Sequence, residues 1–164
     1  MPCDAVTLAP YMGKDSVQPF LDYKGKWSVV LALTSNASAN DFEMLPVGET
    51  PLYEKVIKTT MTWGSKEDTM FVVGATRPEK LAEIREYCPD NFFLVPGVGA
   101  QGGSAEEVIA HGANDHGGLL INSSRGILFA DSSENYAKVA GEVAIGASIG
   151  GARAMSCMKD VGLN

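Results

Sequence analysis

Phe92-Phe93-Leu94-Val95-Pro96-Gly97-Val98-Gly99-Ala100-Gln101-Gly102-Gly103 and Leu119-Leu120-Ile121-Asn122-Ser123-Ser124-Arg125-Gly126 share one pattern. In each, a short apolar run stops at a turn built from small residues and one long polar or cationic side chain. Continuous apolar runs, as opposed to alternating ones, are what parallel strands covered on both faces look like. Three more runs of this kind, Ala5–Ala9, Ser28–Leu33 and Met70–Val73, join Phe92–Val95 and Gly118–Ile121 to give five strand candidates.

Five helical patterns alternate with these runs, and several carry start signals. Thr76 with Glu79 reads as a capping box with Pro78 in the first turn, and Ser104 with Glu107 reads as another. Thr50-Pro51 opens a helix in which Leu52, Val56, Ile57 and Met61 recur at helical spacing. The last helix is expected to begin near Ser133 and to run past Val139 and Val143. Strict β–α alternation predicts an α/β fold with a parallel sheet and right-handed crossovers. It forms one domain over residues 1–164, with no linker, no low-complexity segment and no repeat beyond the βα unit. Barrels and doubly wound sheets of this class both place their chemistry at the C-terminal ends of the strands.

Composition narrows the function. The 164 residues are 45% hydrophobic and 20% charged, enough for a real core. A net charge of −7 argues against a nucleic-acid partner, which calls for a basic face. Three widely spaced cysteines, Cys3, Cys88 and Cys157, suit neither a disulfide framework nor a zinc site, so reduced cytosolic thiols are expected. No signal-peptide pattern opens the chain, and the longest small and apolar run, Val143 to Ala152, is too short to span a bilayer. A cytoplasmic protein without a membrane partner is the expectation.

Two strands that end side by side in a glycine-rich turn and an arginine make a place to hold a phosphate. Unobstructed backbone N–H groups can converge on the anion, and a guanidinium can close on it with two parallel hydrogen bonds. Gly97-x-Gly99-x-x-Gly102 formally matches a dinucleotide fingerprint, but the next strand ends in Asn122-Ser123-Ser124-Arg125, without the acidic residue that binds a ribose. A plain structural turn and a phosphate cup completed by Gln101 and Arg125 both remain open at this point. For Arg125 the competing role is a surface salt bridge. Thr34-Ser35-Asn36 and Pro10-Tyr11-Met12-Gly13 each read, in isolation, as turn clusters, and Gly74-Ala75-Thr76 as a close strand-to-helix turn with a cap. His111 and His116 read as exposed loop histidines. No triad, metal-ligand cluster or carboxylate pair can be assembled from the strand ends, so no catalytic residue and no metal are assigned.

Taken in order, Asp4-Ala5-Val6-Thr7-Leu8, Pro10-Tyr11-Met12-Gly13, Leu33-Thr34-Ser35-Asn36, Val72-Val73-Gly74-Ala75-Thr76, Pro96 to Gly103 and Asn122-Ser123-Ser124-Arg125-Gly126-Ile127 closely resemble the orotidine 5′-phosphate decarboxylase family in its longer bacterial-type branch, to about Ala140. The resemblance implies a (β/α)₈ barrel that converts orotidine monophosphate to uridine monophosphate and CO₂ without a cofactor, in pyrimidine biosynthesis. It implies that Gln101 is the glutamine of a closing phosphate loop and that Arg125 pairs with the phosphate. Backbone amides around Gly103, Ser124 and Arg125 would complete the cup, Ser35 would read the pyrimidine ring, and Pro96 would line the mouth.

The resemblance also implies a lysine–aspartate network on strands upstream of Asp4-Ala5-Val6-Thr7. The expectation is therefore five consecutive βα units from the C-terminal part of the barrel, N-terminally truncated and inactive alone. Such a piece has exposed sheet edges and an uncovered core face, so a homo-oligomer or a complement with a separate first part is expected. The alternatives are an inert nucleotide-binding remnant and another phosphate-binding barrel enzyme of the same superfamily. The latter would share the cup but leave Thr34-Ser35-Asn36 beside Gln101 unexplained.

Overall fold

Every one of the apolar runs forms a strand, and each lies within two residues of the predicted span. The structure, a computed structural model, describes residues 3–99 and 101–147. The chain starts with β1 (Ala5–Leu8), passes through a 3₁₀ turn at Pro10–Met12, and continues into α1 (Lys14–Leu21) and β2 (Trp27–Leu33). A short α2 (Ala39–Phe42) and the two-residue strands β3 (Pro46–Val47) and β4 (Thr50–Pro51) lead to α3 (Leu52–Thr60). Then come β5 (Thr69–Val73), α4 (Pro78–Tyr87), β6 (Phe93–Pro96), α5 (Ala105–Gly112), β7 (Leu119–Asn122) and α6 (Ser124–Leu128). Residues 136–147 are helical and are called α7.

The main sheet runs β1-β2-β5-β6-β7, and every neighbouring pair is parallel. Each βα unit therefore adds its strand on the same side of the one before. A doubly wound sheet has to reverse direction, whereas a barrel does not. The two faces of the sheet agree with a barrel wall. On one face Val30, Phe71, Val73, Phe93 and Val95 pack against Tyr53 and Ile57 of α3, Leu81 and Ile84 of α4, and Val108 of α5. Each such side chain taken fully out of water stabilises the fold by about 1.5–3 kcal/mol.

The other face carries a second cluster, drawn from the strands and from Phe92 just before β6, with buried Val29, Met70 and Val72 at its centre and Trp27, Leu31, Phe92 and Leu94 around them. Trp27 meets Phe92 edge to face at 6.0 Å. Leu120 lies in register with Leu94 yet is 53% exposed, and β1 at the sheet edge is exposed along most of its length. The expected open edge is thus present at β1, whereas the expected uncovered face is exposed at Leu120 and closed at its centre, where Val29, Met70 and Val72 are buried. None of the described helices is long and apolar enough to cross a membrane.

Four local expectations need correction. Thr76 does not cap α4: Arg77 holds the cap position without a side-chain bond, and the Thr76 hydroxyl donates instead to the Ser35 carbonyl at 3.3 Å. Pro78 can open the helix without that cap because it has no N–H to satisfy. Ser104 does cap α5, accepting the Glu107 N–H at 3.3 Å, but the carboxylate that accepts the Ser104 hydroxyl belongs to Glu106 at 2.8 Å. The last helix begins at residue 136, because Ser133 is held in a turn by Asp131, which accepts both its amide and its hydroxyl. His111 sits in the last turn of α5, so only His116 is a loop histidine, although both are exposed. Cys157 and the glycine-rich tail from 148 onward lie outside the described residues.

Candidate functional site

At the C-terminal end of β6 the chain turns at Gly97 with φ +97°. A Cβ there would stand 2.7 Å from Gln101 Oε1 and 2.9 Å from Ser35 Cβ. Glycine is thus required both by the left-handed backbone and by the crowding of two side chains against it. The turn is pinched shut at its base: the Gly99 N–H donates to the Gly103 carbonyl at 2.9 Å, and the Gly103 N–H donates to the Gly97 carbonyl at 3.3 Å. Gly103 packs directly on Ala75, where a Cβ would come within 2.5 Å of the alanine methyl.

The neighbouring strand contributes the second wall. Ser123 Oγ donates to the Val98 carbonyl at 3.1 Å, which ties the end of β7 to the glycine turn. Ser124 Oγ donates to Asn122 Oδ1 at 2.9 Å. The first backbone bond of α6 runs from the Ile127 N–H to the Ser123 carbonyl at 3.1 Å, so the N–H groups of Ser124, Arg125 and Gly126 form the unbonded first turn. Arg125 is exposed. The ion pairs among the described residues all use lysines, so the surface salt bridge considered for Arg125 is not among them.

Pro96, Gly97, Val98, Gln101, Asn122, Ser124 and Arg125 enclose a cleft of about 140 Å³ between the two strand ends. Four of the six sequence-predicted site residues, Pro96, Gln101, Ser124 and Arg125, line it. Ser35 comes from the end of β2, and its side chain packs on Gly97 beside that of Gln101. Gly103 lies at the base of the turn, and its N–H is taken up by the Gly97 carbonyl. Val98 and Asn122, inside the same two motifs, also line the cleft.

Two further contacts went unread. Glu43 binds Thr34, next to Ser35, through the Thr34 N–H at 2.7 Å, and Thr76 binds the Ser35 carbonyl. Neither carries a local sequence signal: Glu43 reaches back nine residues across α2, and Thr76 reaches Ser35 from 41 residues away. Among the described residues the lining offers one fixed cation and several amide and hydroxyl donors, with neither a lysine nor a carboxylate. Chemically it can hold an anion, but it cannot donate or take a proton in the way a lysine or carboxylate does.

A larger hollow of about 330 Å³ opens where β1 and β2 begin, bounded by Asp4, Val6, Phe20, Tyr23, Lys26 and Trp27 among others. Its two charged side chains neutralise one another at 2.7 Å, and that pairing holds the Asp4 carboxyl below the usual carboxylate range. The smaller cleft, where Arg125 has no counter-charge among the described residues, is the better candidate for a ligand site.

Comparison with known proteins gives a consistent result. Residues 1–140 match the model of the Orotidine 5'-phosphate decarboxylase / HUMPS family. The orotidine 5'-phosphate decarboxylase of Christiangramia forsetii is 57% identical over 138 residues, which cover 84% of this chain and 51% of that protein. The orotidine 5'-phosphate decarboxylase of Phocaeicola vulgatus is 51% identical over 142 residues, 86% of this chain and 52% of that protein. Among solved structures, OMP decarboxylase of Leishmania donovani superposes with a TM-score of 0.75 at 38% identity, covering 90% of this chain and 57% of the other. UMP synthase of the same organism gives 0.74 at 42% identity, covering 86% and 32%. The chain spans about half the length of the curated relatives it matches.

Proposed function

The chain belongs to the orotidine 5′-phosphate decarboxylase / HUMPS family, and from that membership we propose that it supplies the part of an orotidine 5′-phosphate decarboxylase that grips the phosphate and the pyrimidine of the nucleotide. The observation that carries this reading is the meeting of Ser35, Gln101 and Arg125 around Gly97, at the ends of strands β2, β6 and β7. Arg125 places two parallel N–H groups on the phosphate, a charge-assisted and geometrically selective contact. The first-turn amides of Ser124 and Arg125 add donors, and the Gly103 amide joins them when the turn relaxes around the anion. Gln101 closes over the phosphate from the loop. Ser35 reads the pyrimidine ring, and its contact with the same glycine as Gln101 links the two halves of recognition. Pro96 lines the mouth.

A phosphate remote from the reacting carbon helps the reaction only if its binding energy is spent on something that matters in the transition state. Loop closure and exclusion of water around the carboxylate are such uses. Decarboxylation leaves the bonding electron pair on the ring carbon, and a proton must then replace the lost CO₂. The cleft lining has no group to crowd the carboxylate or to supply that proton. The chain by itself is therefore proposed to hold nucleotide without turning it over, and the helix-free face of the sheet is where further protein would complete a barrel.

Calorimetric titration with uridine monophosphate, for wild type and Arg125→Ala, tests the grip. The substitution is expected to weaken binding by about 2–3 kcal/mol. Unchanged affinity would remove Arg125 from the site. Decarboxylation of orotidine monophosphate by the isolated chain at rates ordinary for an enzyme, about 1–10³ s⁻¹, would overturn the claim that its reactive groups lie elsewhere.

A further inference from the structure

Ser35 has to point at the ring, yet it stands in the loop just beyond the end of its strand. Its position depends on the residues around it, and the contacts that fix it are unusually specific. β2 ends at Leu33, and the next backbone donor, the Thr34 N–H, is taken by Glu43 Oε2 at 2.7 Å. The second oxygen of the same carboxylate, Oε1, lies 2.8 Å from the Thr34 hydroxyl. That hydroxyl is also 2.6 Å from Asn36 Oδ1, and with a single proton it serves one acceptor at a time. A carboxylate that holds one residue by backbone and side chain together fixes the torsions from which the next side chain departs.

Glu43 is itself anchored. Its carbonyl accepts the N–H of Tyr53, a residue only 2% exposed at the start of α3, at 2.9 Å. On the opposite side, Gly74 comes so close that a Cβ there would stand 2.6 Å from the Ser35 nitrogen, and Thr76 donates to the Ser35 carbonyl. Ser35 is thus gripped between a carboxylate clamp and a wall with no side chain. Glu43 does not line the cleft.

We propose that Glu43 is a positioning residue: it sets the direction of Ser35, and through Ser35 the recognition of the pyrimidine ring, an inference that rests on the role given to Ser35 above. Its effect is larger on the base than on the phosphate: Ser35 touches the phosphate turn only where it packs on Gly97 beside Gln101, and Arg125 and the amides of Ser124 and Arg125 belong to the β7–α6 junction, apart from the Thr34–Glu43 contact. A merely structural residue would disturb both ends of the nucleotide together.

The test uses the full chain with Glu43→Ala and Glu43→Gln. Each is titrated with uridine monophosphate and with ribose 5-phosphate, and the Ser35 Hα–Hβ couplings are read by NMR. For Glu43→Ala the expected result is a loss of about tenfold or more in affinity for uridine monophosphate, with ribose 5-phosphate held within about twofold. The Ser35 couplings should move from a single rotamer to an average, and Glu43→Gln, which keeps one acceptor for the Thr34 N–H, should recover most of the nucleotide affinity. Equal losses for both ligands, or an undiminished affinity for uridine monophosphate, would overturn the proposal. Should wild type bind neither ligand, it is the proposed function that fails. The couplings then decide alone: averaging in Glu43→Ala sustains the positioning role, and an unchanged Ser35 rotamer ends it.

Discussion

Arg85 and Arg125 carry the same side chain at opposite ends of one sheet, and the protein treats them in opposite ways. Arg85, near the end of α4, reaches under the starts of β6 and β7. Its guanidinium donates to the carbonyls of Gly112 at 2.8 and 3.0 Å, Cys88 at 3.1 Å, Pro89 at 3.0 Å, Asn91 at 2.8 Å and Gly118 at 3.3 Å. One face lies on the Phe93 ring, 3.7 Å from its centre. Burial pushes its pKa down to about 10. Arg125 is exposed and has a cleft in front of it. A cation whose donors are all used by the fold can stabilise but cannot recognise. A cation that the described part of the fold leaves unsaturated is available to a ligand.

The sharpest way to break this contrast is to exchange the consequences. Arg85→Ala strands several carbonyls in a half-buried joint and should cost about 3–4 kcal/mol in urea denaturation. Arg85→Lys should restore less than half of that, since a point charge cannot replace a planar fork. The folded fraction of either variant should keep its nucleotide affinity. Arg125→Ala should do the reverse, weakening uridine monophosphate by roughly 30- to 150-fold while moving stability by no more than about 0.5 kcal/mol. If Arg85→Ala left stability unchanged, or Arg125→Ala unfolded the chain, the division of labour would be wrong.

A smaller effect separates the two ends by pH. Cys88, beside Arg85, is fully buried, and that burial pushes its thiol up to about 11 from 9.0. The folded chain then holds this proton more tightly than the unfolded chain. The stability it contributes is complete below pH 9 and is lost as pH rises toward 11. The loss should approach about 2–3 kcal/mol, and Cys88→Ala should remove that part of the slope in denaturation curves taken across the window. Smallest of all, Gly97→Ala should cost about 1–2 kcal/mol for its backbone conformation, with weaker nucleotide binding because the new methyl displaces Gln101 or Ser35. A melting temperature and affinity equal to wild type would show that the Gly97 approach is not needed.

The two ends also differ in how far the sequence revealed them. The five strands were legible because parallel strands under helices read as unbroken apolar runs, and Pro96 to Gly103 and Asn122 to Gly126 because turns that must expose amides are spelled in glycine and serine. Arg85 left no such trace. In Glu79-Lys80-Leu81-Ala82-Glu83-Ile84-Arg85-Glu86 it has the look of an ordinary solvated helix charge, and its partners are backbone carbonyls, which no residue type announces. Glu43 was hidden for the same reason, since its main acceptor role is toward the Thr34 amide. Thr76 was misread because its hydroxyl serves Ser35, a tertiary contact that outcompeted the local cap. Periodicity reports burial and glycine reports backbone geometry. Neither reports which side chain will satisfy a distant main-chain group.

The central claim is that the Gly97 turn and Arg125 hold a phosphate, and comparing uridine monophosphate with uridine on the wild-type chain tests it most directly. Calorimetry should find the monophosphate bound at least about a hundredfold more tightly than the nucleoside, with most of that gap gone in Arg125→Ala. Equal affinities for uridine and uridine monophosphate would contradict the account.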